Sequence, residues 1–171
     1  RYMVNTTRPH DRRLMSEVIA FHEGLPGHHL LYGLVAEGRV PDGGFNSGFV
    51  EGWAVYAERV ADELGLYGSR LDRTGYLAKQ LWSAARLVVE PGLHRRGWSR
   101  ERAVSFMLDH TALSRDEIES EVDRYAALPG QAPAYMLGAL HILRLRREAR
   151  EALGAEFDPK TFHDVILGGG V

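Results

Sequence analysis

Apolar residues recur at intervals of three and four along almost the whole of this chain, and no segment alternates apolar and polar residues for long. That spacing places apolar side chains on one face of an α-helix, whereas a strand needs a period of two. We therefore predict an all-α fold, an irregular helical domain without a sheet. With 171 residues, the chain is long enough to bury its own core, and we expect residues 1–171 to form a single domain.

Capping residues, glycines and prolines divide the chain into seven predicted helices. These cover approximately residues 14–37, 48–64, 72–90, a short segment after Ser99, 115–128, 132–153 and 161–167. We expect Pro91, which lacks a backbone N–H, to end the third helix together with Gly92. The residues of that helix expected to face the core are Leu77, Leu81, Ala84, Ala85 and Val88.

The charge balance excludes several classes of partner. The chain has 21 Lys and Arg residues against 23 Asp and Glu residues, mixed along the sequence, which argues against binding to nucleic acid or to an anionic membrane. No apolar run approaches the roughly 20 residues of a membrane-spanning helix. The absence of cysteine excludes disulfides, thiolate metal sites and cysteine nucleophiles. We expect a soluble protein, with the cytoplasm favoured.

One segment carries an unusual density of chemically active side chains. His22, Glu23, His28 and His29 fall within eight residues and are interrupted by Pro26. Helical zinc hydrolases commonly use His-Glu-x-x-His, in which two histidines one turn apart share a metal and the glutamate reaches its bound water. Here the fourth residue after His22 is Pro26, so the standard motif is absent.

A regular helix could not bring these histidines to one metal ion. His28 would lie about 240° around the axis from His22, and His29 about 10.5 Å along it. Two nitrogens on one tetrahedral zinc ion lie within about 3.4 Å of each other. Because Pro26 cannot donate to the carbonyl of His22 and Gly27 tolerates unusual dihedral angles, we expect the helix to bulge there. A two-residue bulge favours His28 over His29 as the ligand.

A carboxylate is the third ligand expected beside two imidazoles. Glu51 is the best candidate, because it follows His28 by 23 residues and lies at the start of the second helix, which can return past the bulge. Glu58 lies two turns further along that helix. We expect it either to support the site from behind or to lie in solvent.

Four blocks of residues, taken in order, resemble one bacterial family. They are His22-Glu23-Gly24-Leu25-Pro26-Gly27-His28-His29, Glu51-Gly52-Trp53-Ala54-Val55-Tyr56-Ala57-Glu58, Arg86-Leu87-Val88-Val89 with Gly92-Leu93-His94, and Asp123-Arg124-Tyr125 with Pro129-Gly130-Gln131-Ala132 and Tyr135. The chain resembles the domain of unknown function 885 family, whose members are regarded as zinc metallopeptidases. The resemblance covers only the C-terminal, catalytic part of such proteins, so we expect a longer protein of which this chain is a piece.

The resemblance implies a helical, gluzincin-like fold and one zinc ion per chain. On that basis His22, His28 and Glu51 look like the zinc ligands and Glu23 like the general base. The choice between His28 and His29 is not decided by the resemblance.

Further roles follow from what the reaction would need. A developing oxyanion requires a donor besides the metal, and a tyrosine hydroxyl or a protonated histidine is the usual kind. Tyr135 and His94 are the candidates. Arg124 and Gln131 are candidates for holding a peptide carboxylate or backbone, and His29 for a substrate contact.

These residues together predict zinc-dependent hydrolysis of peptide bonds in short peptides. Two alternatives stay open: a zinc amide hydrolase or tailoring enzyme with a non-peptide substrate, and a non-catalytic helical fragment. The expected partners are a short peptide or amide substrate and the missing N-terminal part of the same protein. Association into a homo-oligomer through the exposed helical surface is a further alternative.

Overall fold

The computed structural model describes residues 13–40 and 46–169. Within these ranges the chain is helical and contains no strand, which confirms the all-α prediction. The α-helices of the described residues are α1 (Ser16–Glu23), α2 (His28–Ala36), α3 (Ser47–Glu63), α4 (Arg70–Arg95), α5 (Arg100–His110), α6 (Arg115–Ala127), α7 (Gln131–Leu153) and α8 (Pro159–Gly168). None of these helices is long and apolar enough to cross a membrane.

The first predicted helix is two helices, and the interruption falls where it was expected. The segment Gly24-Leu25-Pro26-Gly27 leaves helical geometry entirely instead of forming a two-residue bulge. The chain turns so tightly that a Cβ on Gly27 would lie 2.0 Å from the carbonyl oxygen of His22, so a side chain is excluded there. The indole N–H of Trp53 donates to the carbonyl of Pro26 at 3.0 Å and fixes the interruption onto α3.

Two apolar clusters lie on either side of this interruption. The first involves α1, α4, α5 and α6 and includes Val18, Val89, Met107, Ile118 and Val122. The second involves α2, α3, α7 and α8 and includes Leu31, Trp53, Tyr56, Ile142 and Phe162. Residues 24–27 therefore carry the chain from one core to the other, with α1 packed in the first cluster and α2 in the second.

The prediction for the end of α4 is wrong. Pro91 lies inside the helix, which continues to Arg95. An interior proline loses the hydrogen bond of its N–H and crowds the carbonyl four residues back, but the helix continues through Pro91. Its end is closed further on, where the N–H of Trp98 donates to the carbonyl of Gly92 at 2.9 Å. The Trp98 ring also covers Gly92, where a Cβ would lie 2.6 Å from the ring.

The prediction for the core face of α4 is also largely wrong. Of the five residues assigned to it, Ala85 is buried and the other four are exposed. The buried face carries a polar series in addition to aromatic and small residues, and that series is Lys79, Ser83, Arg86 and Glu90. Apolar spacing alone could not show that this face of α4 contacts a polar site.

Two glycines let α3 and α7 pack backbone to backbone. A Cβ on Gly52 would lie 2.5 Å from the Cα of Gly138, and a Cβ on Gly138 would lie 1.8 Å from the carbonyl oxygen of Gly48. Such an approach is open only to residues without a side chain. It brings Glu51 on α3 close to Tyr135 on α7.

The starts of three later helices are capped by side chains. In each, a side-chain oxygen accepts a hydrogen bond from a backbone N–H of the first turn, and the second of them forms a full capping box. The three capping residues are Ser99, Ser114 and Asp158.

Candidate metal centre

Three potential metal ligands from three helices meet at one point. His22 lies in the last turn of α1, His28 begins α2, and Glu51 lies near the start of α3. Nε2 of His22 is 3.5 Å from Oε2 of Glu51, and Nε2 of His28 is 3.4 Å from the same oxygen. One ligand atom from each residue falls within 4.8 Å of the others.

This arrangement fits a tetrahedral metal ion. Two ligand atoms bound to zinc at about 2.1 Å lie about 3.4 Å apart, which matches the 3.4 and 3.5 Å separations from Glu51 to the two imidazoles. Oε2 of Glu51 is buried and has no hydrogen-bond partner among the described residues. A buried carboxylate oxygen without a partner is costly, and a cation between these atoms would satisfy it.

The break between α1 and α2 brings His28 to this point, and not His29. The rings of His22 and His28 are 4.7 Å apart and nearly perpendicular. His29 is exposed to solvent and does not belong to the cluster. The structure thus places the predicted ligand set together, with His29 on the surface beside it.

Glu58 lies directly behind His22. Its side chain is fully buried, and Oε1 is 2.7 Å from Nδ1 of His22. Because a carboxylate accepts, Nδ1 carries the proton and donates, which leaves Nε2 free to face Glu51 and a metal. Of the two expectations for Glu58, support from behind is the one that the structure shows.

Lys79 and Gln80 complete the surroundings of the buried Glu58 carboxylate. Nζ of Lys79 donates to Oε1 at 2.5 Å, and Nε2 of Gln80 donates to Oε2 at 2.8 Å. Burial alone would raise the pKa of Glu58, but Lys79 and the hydrogen bond from His22 lower it. The carboxylate is therefore ionised and charge-compensated.

Sequence reasoning missed Lys79, although a signal was present. Lys79, Ser83, Arg86 and Glu90 recur at intervals of four, three and four, which places polar side chains on one face of α4. A row of polar side chains along a helix that otherwise carries many apolar residues indicates that this row contacts a buried polar site.

The three candidate ligands influence each other's protonation. Burial would raise the pKa of Glu51, but the imidazoles of His22 and His28 hold that pKa well below its usual range. Burial and the charge of Lys79 oppose protonation of His22, yet the adjacent carboxylates of Glu51 and Glu58 outweigh them and raise its pKa. Without a metal, protonation of His22 between the two carboxylates is favoured. A metal ion that binds Nε2 of His22 must therefore displace that proton.

Glu23 adjoins the cluster along the chain. It is the last residue of α1, next to His22 in the chain, and its side chain is exposed. Tyr32 lies one turn after His28, with ring centroids 6.0 Å apart. Partial burial and the charges of Glu51 and Glu23 raise the pKa of Tyr32, so both carboxylates act on its hydroxyl. Sequence reasoning missed Tyr32, which its spacing of four from His28 could have indicated.

The two predicted oxyanion donors have different positions. The ring of Tyr135 stacks on the ring of His22 at 6.0 Å, and burial and the charge of Glu51 raise the pKa of Tyr135. His94 instead lies about 22 Å along α4 from Lys79, and its Nε2 is 2.9 Å from the carbonyl oxygen of Tyr125. Since α4 continues as a helix through its proline, the structure does not bring His94 to the cluster.

Arg124 and Gln131 lie on the Tyr135 side of the cluster. Nη1 of Arg124 donates to Oε1 of Gln131 at 2.5 Å, and Nε2 of Gln131 is 3.3 Å from the hydroxyl of Tyr135. A continuous series of polar contacts thus leads from the candidate metal centre to a guanidinium.

The fold and site define a helical domain in which two histidines and a glutamate converge at a helix break. The sequence profile of one family, described as bacterial protein of unknown function (DUF885), matches residues 1–171, and the chain belongs to this family. No curated protein matches the chain.

Two solved structures share the fold. One is a putative lipoprotein from Colwellia psychrerythraea, with 39% identity and a TM-score of 0.85 over 93% of this chain. The other is a putative lipoprotein of unknown function from Shewanella oneidensis, with 25% identity and a TM-score of 0.84 over 99% of this chain. The chain spans 28% and 32% of those two proteins, respectively. Neither description supports the expectation of a cytoplasmic location.

Proposed function

We propose that this chain is the metal-binding part of a zinc-dependent metallopeptidase that hydrolyses peptide bonds in short peptides. The observation that carries the proposal is the convergence of three acceptor atoms, Nε2 of His22, Nε2 of His28 and Oε2 of Glu51, at separations that suit one tetrahedral ion. Two imidazoles and one carboxylate form a ligand set used by zinc hydrolases, which keep a fourth position open.

Zinc bound by these residues would lower the pKa of a water toward about 7 and polarise a substrate carbonyl. Glu23 then serves as the general base. It is adjacent to His22 in the chain, and its carboxylate is exposed. From there it can accept the proton of the attacking water and pass it to the leaving amine.

The tyrosines supply the donors that a developing oxyanion needs. Tyr135 stacks on His22, and its raised pKa keeps the hydroxyl protonated near neutral pH. Tyr32 lies on α2, one turn after His28. Its hydroxyl also remains protonated because its pKa is raised. Hydroxyl donors aimed at the place where negative charge develops lower the barrier more than they stabilise the substrate.

The experiment that tests the proposal compares metal content and hydrolysis in the full-length protein. Elemental analysis without chelator measures zinc, and a library of short fluorogenic peptides measures cleavage. The wild-type protein, Glu23→Gln and His28→Ala are compared, with Glu37→Gln as a matched control because Glu37 is an exposed acid at the end of α2.

We expect about one zinc per chain in the wild type, in Glu23→Gln and in the control, and none in His28→Ala. Hydrolysis should fall by about 10²–10⁴ in Glu23→Gln, the usual contribution of a general base. Zinc-loaded wild-type protein that cleaves no peptide but cleaves other amides would make the protein an amide hydrolase. A protein that binds no zinc would overturn the proposal.

A further inference from the structure

Two guanidinium groups share one carboxylate next to the candidate metal centre. Nη2 of Arg86 and Nη2 of Arg124 lie 3.0 and 2.8 Å from the same oxygen of Glu121. Among the described residues, Glu121 is the only acid whose carboxylate lies within 4.0 Å of either guanidinium. The nearby Glu90 accepts instead from the backbone N–H of Gly130. The single carboxylate of Glu121 is therefore shared by two cations.

The two guanidinium groups are held at a defined distance from Tyr135 and the candidate metal centre. The Arg86 guanidinium lies 4.5 Å from the ring of Tyr135, which stacks on His22. The Arg124 guanidinium reaches the Tyr135 hydroxyl through the amide of Gln131. Two hydrogen bonds and one amide group span about 8 Å at most, which is the length of about two extended peptide residues.

Of the two arginines, Arg124 is the one that a ligand can reach. The Arg86 side chain is 5% exposed, and it also donates from Nε to the hydroxyl of Tyr125. The Arg124 side chain is 30% exposed. Arg124 donates from Nε and Nη2 to Glu121 and from Nη1 to Gln131. Each Nη carries a second N–H, and this pair forms a planar fork that matches a carboxylate, so an anion can bind the exposed edge of Arg124.

We propose that Arg124, assisted by Gln131, binds the free C-terminal carboxylate of the substrate. The enzyme would then be a carboxypeptidase-type exopeptidase that removes one or two residues from the carboxyl end of a peptide. This inference rests on the proposed function, because it names the substrate class of the same site. An internal stretch of peptide would bring no charge to pair with Arg124, whose one acid is shared with Arg86, whereas a terminal carboxylate would.

The test uses pairs of peptides that are identical except for a free or an amidated C-terminus. We expect the wild-type protein to favour the free acid by about 10–100-fold in kcat/KM, the usual effect of charge-assisted hydrogen bonds. In Arg124→Gln the KM of the free acid should rise, and the ratio of kcat/KM for acid to amide should fall by a similar factor. Arg124→Lys should restore part of the preference, and Arg144→Gln, an exposed arginine of α7, should behave like the wild type.

A second measurement keeps this inference separate from the proposed function. Calorimetry on the metal-free protein measures binding of an acetylated dipeptide with a free or an amidated C-terminus, and unfolding curves verify that each variant is folded. Preference for the acid that disappears in Arg124→Gln supports the carboxylate site even if no hydrolysis is seen. Equal hydrolysis of acid and amide overturns the inference but leaves a peptidase, and equal binding or no binding of the two dipeptides also overturns it.

Discussion

Nδ1 of His22 donates a hydrogen bond of 2.7 Å to the buried carboxylate of Glu58. This bond fixes which ring nitrogen carries the proton, and it turns the other nitrogen toward Glu51. An imidazole held in this way is oriented before any metal arrives, so less conformational freedom is lost on binding. The residue behind the ligand is therefore as much part of the candidate centre as the ligand itself.

We predict that Glu58→Gln weakens zinc binding by about 10–100-fold, the usual effect of losing a group that orients a metal-bound histidine. The amide keeps the size of the carboxylate but removes the charge that strengthens the bond from His22 and pairs with Lys79. Competition with a chromogenic chelator measures the affinity. Glu63→Gln is the control, since Glu63 ends α3 at the protein surface. An affinity equal to that of the wild type would contradict the prediction.

The pair formed by Lys79 and Glu58 is buried and should behave as a unit. Lys79→Met leaves the Glu58 carboxylate without its cation, and breaking a buried ion pair on one side costs about 3–5 kcal/mol of unfolding free energy. The double variant Lys79→Met with Glu58→Gln should lose less than the two single changes together. Urea unfolding of the metal-free proteins measures all three. Strict additivity of the two changes would show that the charges do not interact.

The depressed pKa values of Glu51 and Glu58 predict how the stability of the metal-free protein depends on pH. Each carboxylate binds a proton more weakly in the folded chain than in the unfolded chain, where its pKa is about 4.3. Their contribution is thus complete above about pH 5 and is lost as the pH falls through 4 toward the folded-state values. Urea unfolding between pH 3 and 6, at intervals, measures the slope. Glu51→Gln should reduce it, and an unchanged slope would rule out this assignment.

Those features of the site that depend on local chemistry could be predicted from the sequence. Pro26 and Gly27 disfavour a regular helix, and their chemistry indicated both an interruption and the preference for His28. The form of the break could not be predicted, because it depends on contacts from elsewhere in the chain, such as the hydrogen bond from Trp53 to the carbonyl of Pro26.

The errors on α4 share one physical cause. Apolar spacing shows that a helix has a face to bury, but it does not show which neighbour covers that face. Here the pairing partners of Lys79 and Arg86 are Glu58 on α3 and Glu121 on α6, residues 21 and 35 positions away in the sequence. The tertiary fold brings these partners together, so the polar stripe is buried while Leu81 stays exposed.

The close contact between Gly52 and Gly138 predicts that alanine at position 52 lowers the stability of the protein, the opposite of its effect in an isolated helix. In an isolated helix, replacing glycine by alanine adds about 1 kcal/mol of stability. At Gly52, however, the new Cβ would lie 2.5 Å from the Cα of Gly138, and backbone atoms of a packed helix cannot move aside cheaply. We expect Gly52→Ala to lose about 1–3 kcal/mol of unfolding free energy, as overpacking in a core usually does. Because Glu51 is the preceding residue, zinc affinity should fall as well.

Gly33→Ala is the matched control for this change. Gly33 lies inside α2, and nothing lies within 4 Å of the position that its Cβ would occupy. Alanine there should therefore stabilise the protein by about 0.5–1 kcal/mol through helix propensity alone. Urea unfolding of both variants, with chelator competition for zinc, tests the pair. If Gly52→Ala were as stable as Gly33→Ala, then α3 and α7 would not be in backbone contact, and the packing that places Glu51 beside Tyr135 would have to be different.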